Sequence, residues 1–109
     1  IGARSAITHP DGTAVVPTIL SVTPATGIQA GGTLHKIVGT GFMLAGVDNI
    51  VASTGIKLGG SGGTAMTYWI TESDNVVWCV APAITAGAKA VLVYNAVGIS
   101  TVTKNITIT

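Results

Sequence analysis

The stretch from Pro17 to Phe42, PTILSVTPATGIQAGGTLHKIVGTGF, constrains this chain more than any other. It sets two β-type runs, 19–22 and 34–38, around a connection rich in Pro and Gly, then closes on Gly39-Thr40-Gly41-Phe42. Proline fixes φ and has no amide hydrogen to donate, so Pro17 and Pro24 belong at strand edges rather than interiors. Gly27, Gly31 and Gly32 suit a chain that must reverse direction. From Pro17 onward, short β-branched runs alternate with turn clusters at the spacing of an all-β sandwich. The candidate strands are residues 18–23, 33–38, 49–53 with 56–58, 65–71, 75–80, 88–94 and 100–109. No stretch sustains a 3.6-residue apolar period, and residues 43–47 offer the best place for a single helical turn.

The chain has 109 residues, enough for one domain with a core of its own. It is 48% hydrophobic and only 8% charged, with a mean hydropathy of +0.65. Soluble domains usually carry about 25% charged residues. Gly and Thr interrupt every apolar run well short of the roughly 20 residues a membrane-spanning helix needs. The apolar content equally excludes a disordered chain. Net charge is +1, and Arg4, Lys36, Lys57, Lys89 and Lys104 are scattered rather than gathered into the basic stripe that phosphates require. Cys79 stands alone, so the chain forms no internal disulfide. It opens at Ile1 with no secretory-leader pattern, and is expected to be a processed product or an excised segment. Residues 1–16 lack periodicity and contain the turn sequence His9-Pro10-Asp11-Gly12. They form an N-terminal extension, either a loose hairpin-like leader or an arm that docks on a neighbouring subunit.

Residues 17–109 resemble the IPT/TIG family of immunoglobulin-like domains. Pro17, Ile19, Val22, Pro24, Gly27, Gly31-Gly32-Thr33, Ile37, Gly39, Gly41 and Phe42 carry the likeness in the first half. Gly59-Gly60, Val77, Cys79, Pro82, Gly87, Val91, Val93, Asn95, Gly98 and Ser100 carry it in the second. The resemblance implies an immunoglobulin-like two-sheet antiparallel β-sandwich without a bridging disulfide. It also implies a binding or assembly module rather than a catalyst. Such domains occur in cell-surface receptors, transcription factors, secreted bacterial polysaccharide-acting enzymes and phage structural proteins. His35 departs from the family pattern, which places an apolar core residue there.

Side chains along a strand alternate faces, and a sheet with one solvated face should read polar at every second position. In the family register, Ile37, Val77, Cys79, Val91 and Val93 point inward. The opposite positions are Leu34, Val38, Trp78, Val80, Leu92 and Tyr94, and these are apolar too. A register slip exchanges the two sets without making either polar. Monomers rarely expose large apolar patches, so these six residues are expected to pack on a protein partner or a second copy. The competing expectation is that the N-terminal segment covers them.

The side chains that support catalysis are sparse. The acids are Asp11, Asp48, Glu72 and Asp74, and the histidines are His9 and His35. Glu72 and Asp74 read as a solvated turn ahead of a strand rather than as a catalytic carboxylate pair. Asp48 with Asn49, or Glu72 with Asp74 and Asn75, lacks the ligand density of a calcium loop, and zinc lacks enough His and Cys. Cys79 lies in an apolar strand, where a thiol acts as a small hydrophobe. Gly59-Gly60-Ser61-Gly62-Gly63 has no following Lys-Ser/Thr and reads as a turn, not a phosphate loop. Asn105-Ile106-Thr107 fits a glycosylation acceptor by pattern alone. No catalytic residue, metal or cofactor is expected.

Tyr68 and Trp69, with Trp78 nearby, form a candidate platform for stacking sugars; the same aromatics serve equally well as protein-interface anchors. The reading that follows is a non-enzymatic structural or interaction module that binds proteins in a large assembly. The low-charge composition and the resemblance together favour a virion, with the chain as a decoration or tail protein. The alternative is a carbohydrate-associated β-sandwich domain of a secreted or cell-surface bacterial enzyme or adhesin. A DNA-bound dimerisation domain is disfavoured by the scattered basic residues.

Overall fold

A computed structural model describes residues 15–44, 46–51, 54–60, 62–100 and 104–109. The expected N-terminal extension therefore lies outside the described residues, apart from Val15 and Val16. Eleven strands and no helix are present among the described residues. In chain order they are β1 (Thr18–Thr23), β2 (Thr26–Gly27), β3 (Leu34–Thr40), β4 (Met43–Leu44), β5 (Val47–Asp48) and β6 (Ile56–Leu58). Then follow β7 (Thr64–Ala65), β8 (Tyr68–Thr71), β9 (Val76–Val80), β10 (Gly87–Val93) and β11 (Lys104–Ile108).

One sheet has four strands in the order β1-β3-β9-β8, and the other has five in the order β2-β11-β10-β6-β7. Every pairing is antiparallel except β2 with β11. The two sheets face one another across a core that includes Ile19, Ile37, Phe42, Ile56, Leu58, Val77, Cys79, Val91, Val93 and Ile106, all fully buried. Each buried aliphatic of this size contributes roughly 1.5–3 kcal/mol by leaving water. The family register holds here: the alternate residues Ile37, Val77, Cys79, Val91 and Val93 all point inward.

Local chemistry explains how the strands are placed. Ile19 and Val22 are three apart yet both buried, because a bulge at Leu20-Ser21 resets the alternation of β1 against β3. A Cβ on Gly39 would run into the Thr18 carbonyl and stand 2.9 Å from Cζ of Phe42. Glycine there lets β1 and the Phe42 ring close together on β3. Gly41 sits at φ +83 with Pro17 at its back, and this turns Phe42 into the core. Asn95, 4% exposed, ties three chain segments at the same end. Its Nδ2 donates to the carbonyls of Val15 at 2.6 Å and Gly41 at 3.1 Å, while its Oδ1 accepts from the N–H groups of Val97 and Gly98.

Three local expectations are corrected. Residues 43–47 do not form a helical turn. Met43–Leu44 pairs with Val47–Asp48 in a small hairpin, because Gly46 adopts φ 80 and reverses the chain. The expected strand at 65–71 is two strands on different sheets: β7 pairs with β6, and β8 pairs with β9. The chain changes sheets around Met66, whose N–H reaches the Ile56 carbonyl at 2.8 Å while its side chain is buried. Finally, the connection after Pro24 contributes the short strand β2 to the second sheet.

Candidate interaction face

Registration across β3, β9 and β8 brings outward-facing residues into rows. Leu34 lies beside Val80, which lies beside Tyr68; Lys36 lies beside Trp78, which lies beside Ile70; Val38 lies beside Val76. Tyr68, Leu34 and Ile70 are 58%, 54% and 53% exposed, and Val38, Trp78 and Val80 are half-buried between them. This is a mainly apolar face on a sheet whose other side is the core. Polar groups frame Trp78: its indole N–H donates to Oε1 of Glu72 at 2.6 Å, and Nζ of Lys36 stands 5.5 Å from its ring centroid. Such contacts orient the indole against the sheet.

Four of the six residues expected on one face, Leu34, Val38, Trp78 and Val80, are brought together on this sheet. Leu92 and Tyr94 are not. They belong to the other sheet's side of the molecule, where Leu92 pairs with Lys57 and is only 8% exposed. Tyr94 bridges to Ile99 there and has Nζ of Lys57 at 5.8 Å from its ring. Two strands on opposite sheets cannot share an outer face, whatever their common periodicity. The expected Tyr68–Trp69 platform is likewise split, because adjacent strand residues point to opposite faces. Trp69 pairs with the buried Cys79 and packs against the core, while Tyr68 points out. Ile70 and Leu20, both exposed on the four-stranded sheet, are not among the six residues expected on this face. The parity of β8 is the signal that finds Ile70, since it lies two residues from Tyr68.

Beside Tyr68, an open groove of about 370 Å³ is lined by Met66, Thr67, Tyr68 and Trp69. A smaller one of about 150 Å³ is lined by Val51, Thr54, Lys57, Tyr94 and Asn95. Neither gathers carboxylates, histidines or the thiol. The described carboxylates serve local structure instead. Oδ1 of Asp48 accepts from the Ile50 N–H and the Thr71 hydroxyl, and Oδ1 of Asp74 accepts from the Met43 N–H. The Glu72–Asn75 segment is a turn closed by the N–H groups of Glu72 and Ser73 on the Val76 carbonyl. No cluster of three or more metal-binding side chains occurs among the described residues.

His35 and Cys79, paired across β3 and β9, lie on the core side of the sheet. Nδ1 of His35 lies 2.7 Å from the Pro24 carbonyl, which requires that Nδ1 carry the proton and donate it. Nε2 is buried without a hydrogen-bond partner among the described residues. Burial lowers the imidazole pKa from its ordinary value, and the bond to Pro24 offsets this in part. Burial also pushes the Cys79 thiol up to about 12, so it is not a nucleophile.

The IPT/TIG domain model matches residues 17–109. The chain belongs to the IPT/TIG family. No curated protein matches this IPT/TIG chain by sequence. Among solved structures, it is similar to SGBP-B from a complex xyloglucan utilization locus in Bacteroides uniformis, with a TM-score of 0.62 and 20% identity. It is also similar to the full extracellular region of plexin A4, with a TM-score of 0.60 and 18% identity. The two alignments cover 87% and 85% of the IPT/TIG chain, but only 23% and 10% of those larger proteins. At such identities the likeness establishes the sandwich fold.

Proposed function

We propose that this IPT/TIG domain is a non-catalytic interaction module of a secreted or cell-surface, carbohydrate-associated protein. The observation that carries this reading is Tyr68, exposed to 58% beside an open groove of about 370 Å³ on an apolar sheet face. An aromatic ring on a rigid strand presents a flat surface at small entropic cost, and a phenol at its rim supplies a hydrogen bond. The solved relatives support the extracellular carbohydrate setting in kind: one belongs to a xyloglucan utilization locus, and the other is an extracellular region. A virion setting gains no such support. The role of Tyr68 replaces the paired Tyr68–Trp69 platform with a single exposed ring.

Native affinity electrophoresis in gels carrying xyloglucan tests the carbohydrate part. The wild type is expected to be retarded, and Tyr68→Ala to bind roughly ten-fold more weakly, as loss of one stacked ring implies. Unchanged migration of the wild type in xyloglucan, mixed-linkage glucan and galactomannan would overturn it. Leu34 and Ile70 favour a second use of the same face, docking on another protein domain, because exposed aliphatic side chains gain by leaving water against another apolar surface. In that case Leu34→Glu abolishes binding to the partner domain in a pull-down, while Tyr68→Ala alone does not.

A further inference from the structure

Among the described residues, Nε2 of His35 is the one buried side-chain nitrogen or oxygen without a hydrogen-bond partner. Such atoms are rare in folded proteins and call for a physical reason. The ring is fully buried on the core side of β3, and its Nδ1–H is committed to the Pro24 carbonyl at 2.7 Å. What lies over Nε2 is β2. A Cβ built on Gly27 would stand 3.8 Å from Nε2, 3.7 Å from Oγ1 of Thr33 and 3.1 Å from Cδ1 of Ile108.

This strand has little to hold it. β2 is two residues long, stands at the edge of the five-stranded sheet, and pairs only with β11 among the described residues. The Thr107 N–H donates to the Ala25 carbonyl at 2.8 Å, and the Thr109 N–H to the Gly27 carbonyl at 3.0 Å. Short edge segments of this kind open locally at a fraction of the cost of global unfolding. No carboxylate side chain faces the imidazole. Asp48, Glu72 and Asp74 sit toward the other end of β3, in the β4–β5 hairpin and the β8–β9 turn. Of the elements around the ring, β9 contributes Cys79, whose thiol is pushed up to about 12 and stays neutral. β10 contributes Lys89, a half-buried cation whose Nζ is bonded to the Thr85 hydroxyl at 2.9 Å. Lys36 points outward over Trp78, Lys104 is exposed, and the terminal carboxylate belongs to the exposed Thr109.

We propose that β2 is an acid-released edge strand and that His35 is the latch beneath it. While the imidazole is neutral, Nε2 is an acceptor that the cover of Gly27 leaves dry. A proton on Nε2 turns it into a charged donor, and nothing among the described residues bonds it in the closed form. The Nδ1–H bond to Pro24 is compatible with that proton, so the demand for water falls on the side that β2 covers. Keeping β2 closed would leave an unpartnered charge against apolar neighbours, whereas lifting it breaks the backbone bonds from Thr107 and Thr109 and hydrates the ring. Release uncovers the edge of β11, so acid converts a covered sheet edge into an open one. The device is separate from the outer face around Tyr68 and stands whatever that face binds.

The test is amide hydrogen exchange on the whole chain at pH 7.5, 6 and 4.5, each rate divided by the intrinsic rate at that pH. The Thr107 amide, bonded to Ala25 across the β2–β11 pair, should lose protection about ten-fold or more between pH 7.5 and 4.5. The Gly39 and Ser100 amides, bonded to the Asn75 and Val93 carbonyls, report on the rest of the sandwich and should change several-fold less. His35→Leu and His35→Gln both remove the titrating ring and should hold Thr107 protection flat over the same range. Thr107 protection that does not fall with pH overturns the proposal. Loss at Thr107, Gly39 and Ser100 by the same factor does so too, because it reports global unfolding rather than release of one strand. An acid response that persists in a folded His35 variant assigns the effect to another group and equally overturns it. The order of loss in the wild type decides the matter by itself where a variant does not fold.

Discussion

The runs Val76-Val77-Trp78-Cys79-Val80 and Ala90-Val91-Leu92-Val93-Tyr94 look alike as text, yet the molecule treats their outer faces differently. On the four-stranded sheet, the outward neighbours of Trp78 and Val80 are Lys36, Ile70, Tyr68 and Leu34, the last three more than half exposed. On the five-stranded sheet, Leu92 keeps only 8% of its surface and pairs with Lys57, while outward positions of β11 carry Asn105 and Thr107. An apolar residue at an outward position is thus left exposed in one sheet and packed away in the other. Apolar periodicity measures how well a strand tolerates cover. It does not name the cover.

The sharpest way to break this comparison is a pair of truncations read by urea denaturation. Leu92→Ala should cost about 2–4 kcal/mol, as buried leucine truncations do. Leu34→Ala, at an exposed position, should stay within about 0.5 kcal/mol. Equal losses would mean that the face of the four-stranded sheet is as covered as the other.

A smaller effect should come from His35, the one titratable imidazole on the inner side of the described sheets. Its folded pKa lies below the ordinary 6.5, so above pH 6.5 both folded and unfolded chains hold it neutral and stability is flat. As pH falls through 6.5 the unfolded chain takes up a proton that the folded chain refuses, and stability declines until the folded pKa is reached. Protonation would place a second N–H, on Nε2, where no acceptor exists among the described residues. Thermal melts between pH 7.5 and 4.5 should show this decline, and His35→Leu should flatten it. The facing thiol, Cys79, stays neutral throughout because its pKa is about 12.

The smallest expected change concerns the polar frame of Trp78. Glu72→Gln retains an acceptor for the indole N–H but removes the charge, and at an exposed site it should alter stability by less than about 0.5 kcal/mol. The intrinsic fluorescence should nevertheless shift, because Trp78 on the outer face would lose the carboxylate at its indole N–H while the surroundings of Trp69 on the inner face stay the same. An unchanged spectrum would show that the bond does not persist in solution.

Much of the architecture was legible in the chain. Pro17 and Pro24 bracket β1 because proline donates no hydrogen to a ladder, and the Gly39–Phe42 motif closes where only glycine lets Thr18 and Phe42 approach. Inward positions on β3, β9 and β10 followed from alternation together with the register that the family resemblance implies. The misreadings were of another kind. The hairpin around Gly46 is a short strand pair with too little pattern to register, and the sheet switch at Met66 hides inside an unbroken β-prone run. The candidate site was legible only in part. Leu34, Val38, Trp78 and Val80 share a face, but Leu92 and Tyr94 were assigned to it by period rather than by sheet.

Sequence alone determined that this chain is an all-β sandwich with more apolar strand surface than one interior uses, because turn chemistry and period-two alternation are local properties of the backbone. Only the tertiary structure decided which sheet each strand joins and which outward residues stay exposed among the described residues. Those depend on contacts between segments far apart in the chain, such as Leu34 with Val80 or Leu92 with Lys57, and no local pattern encodes them.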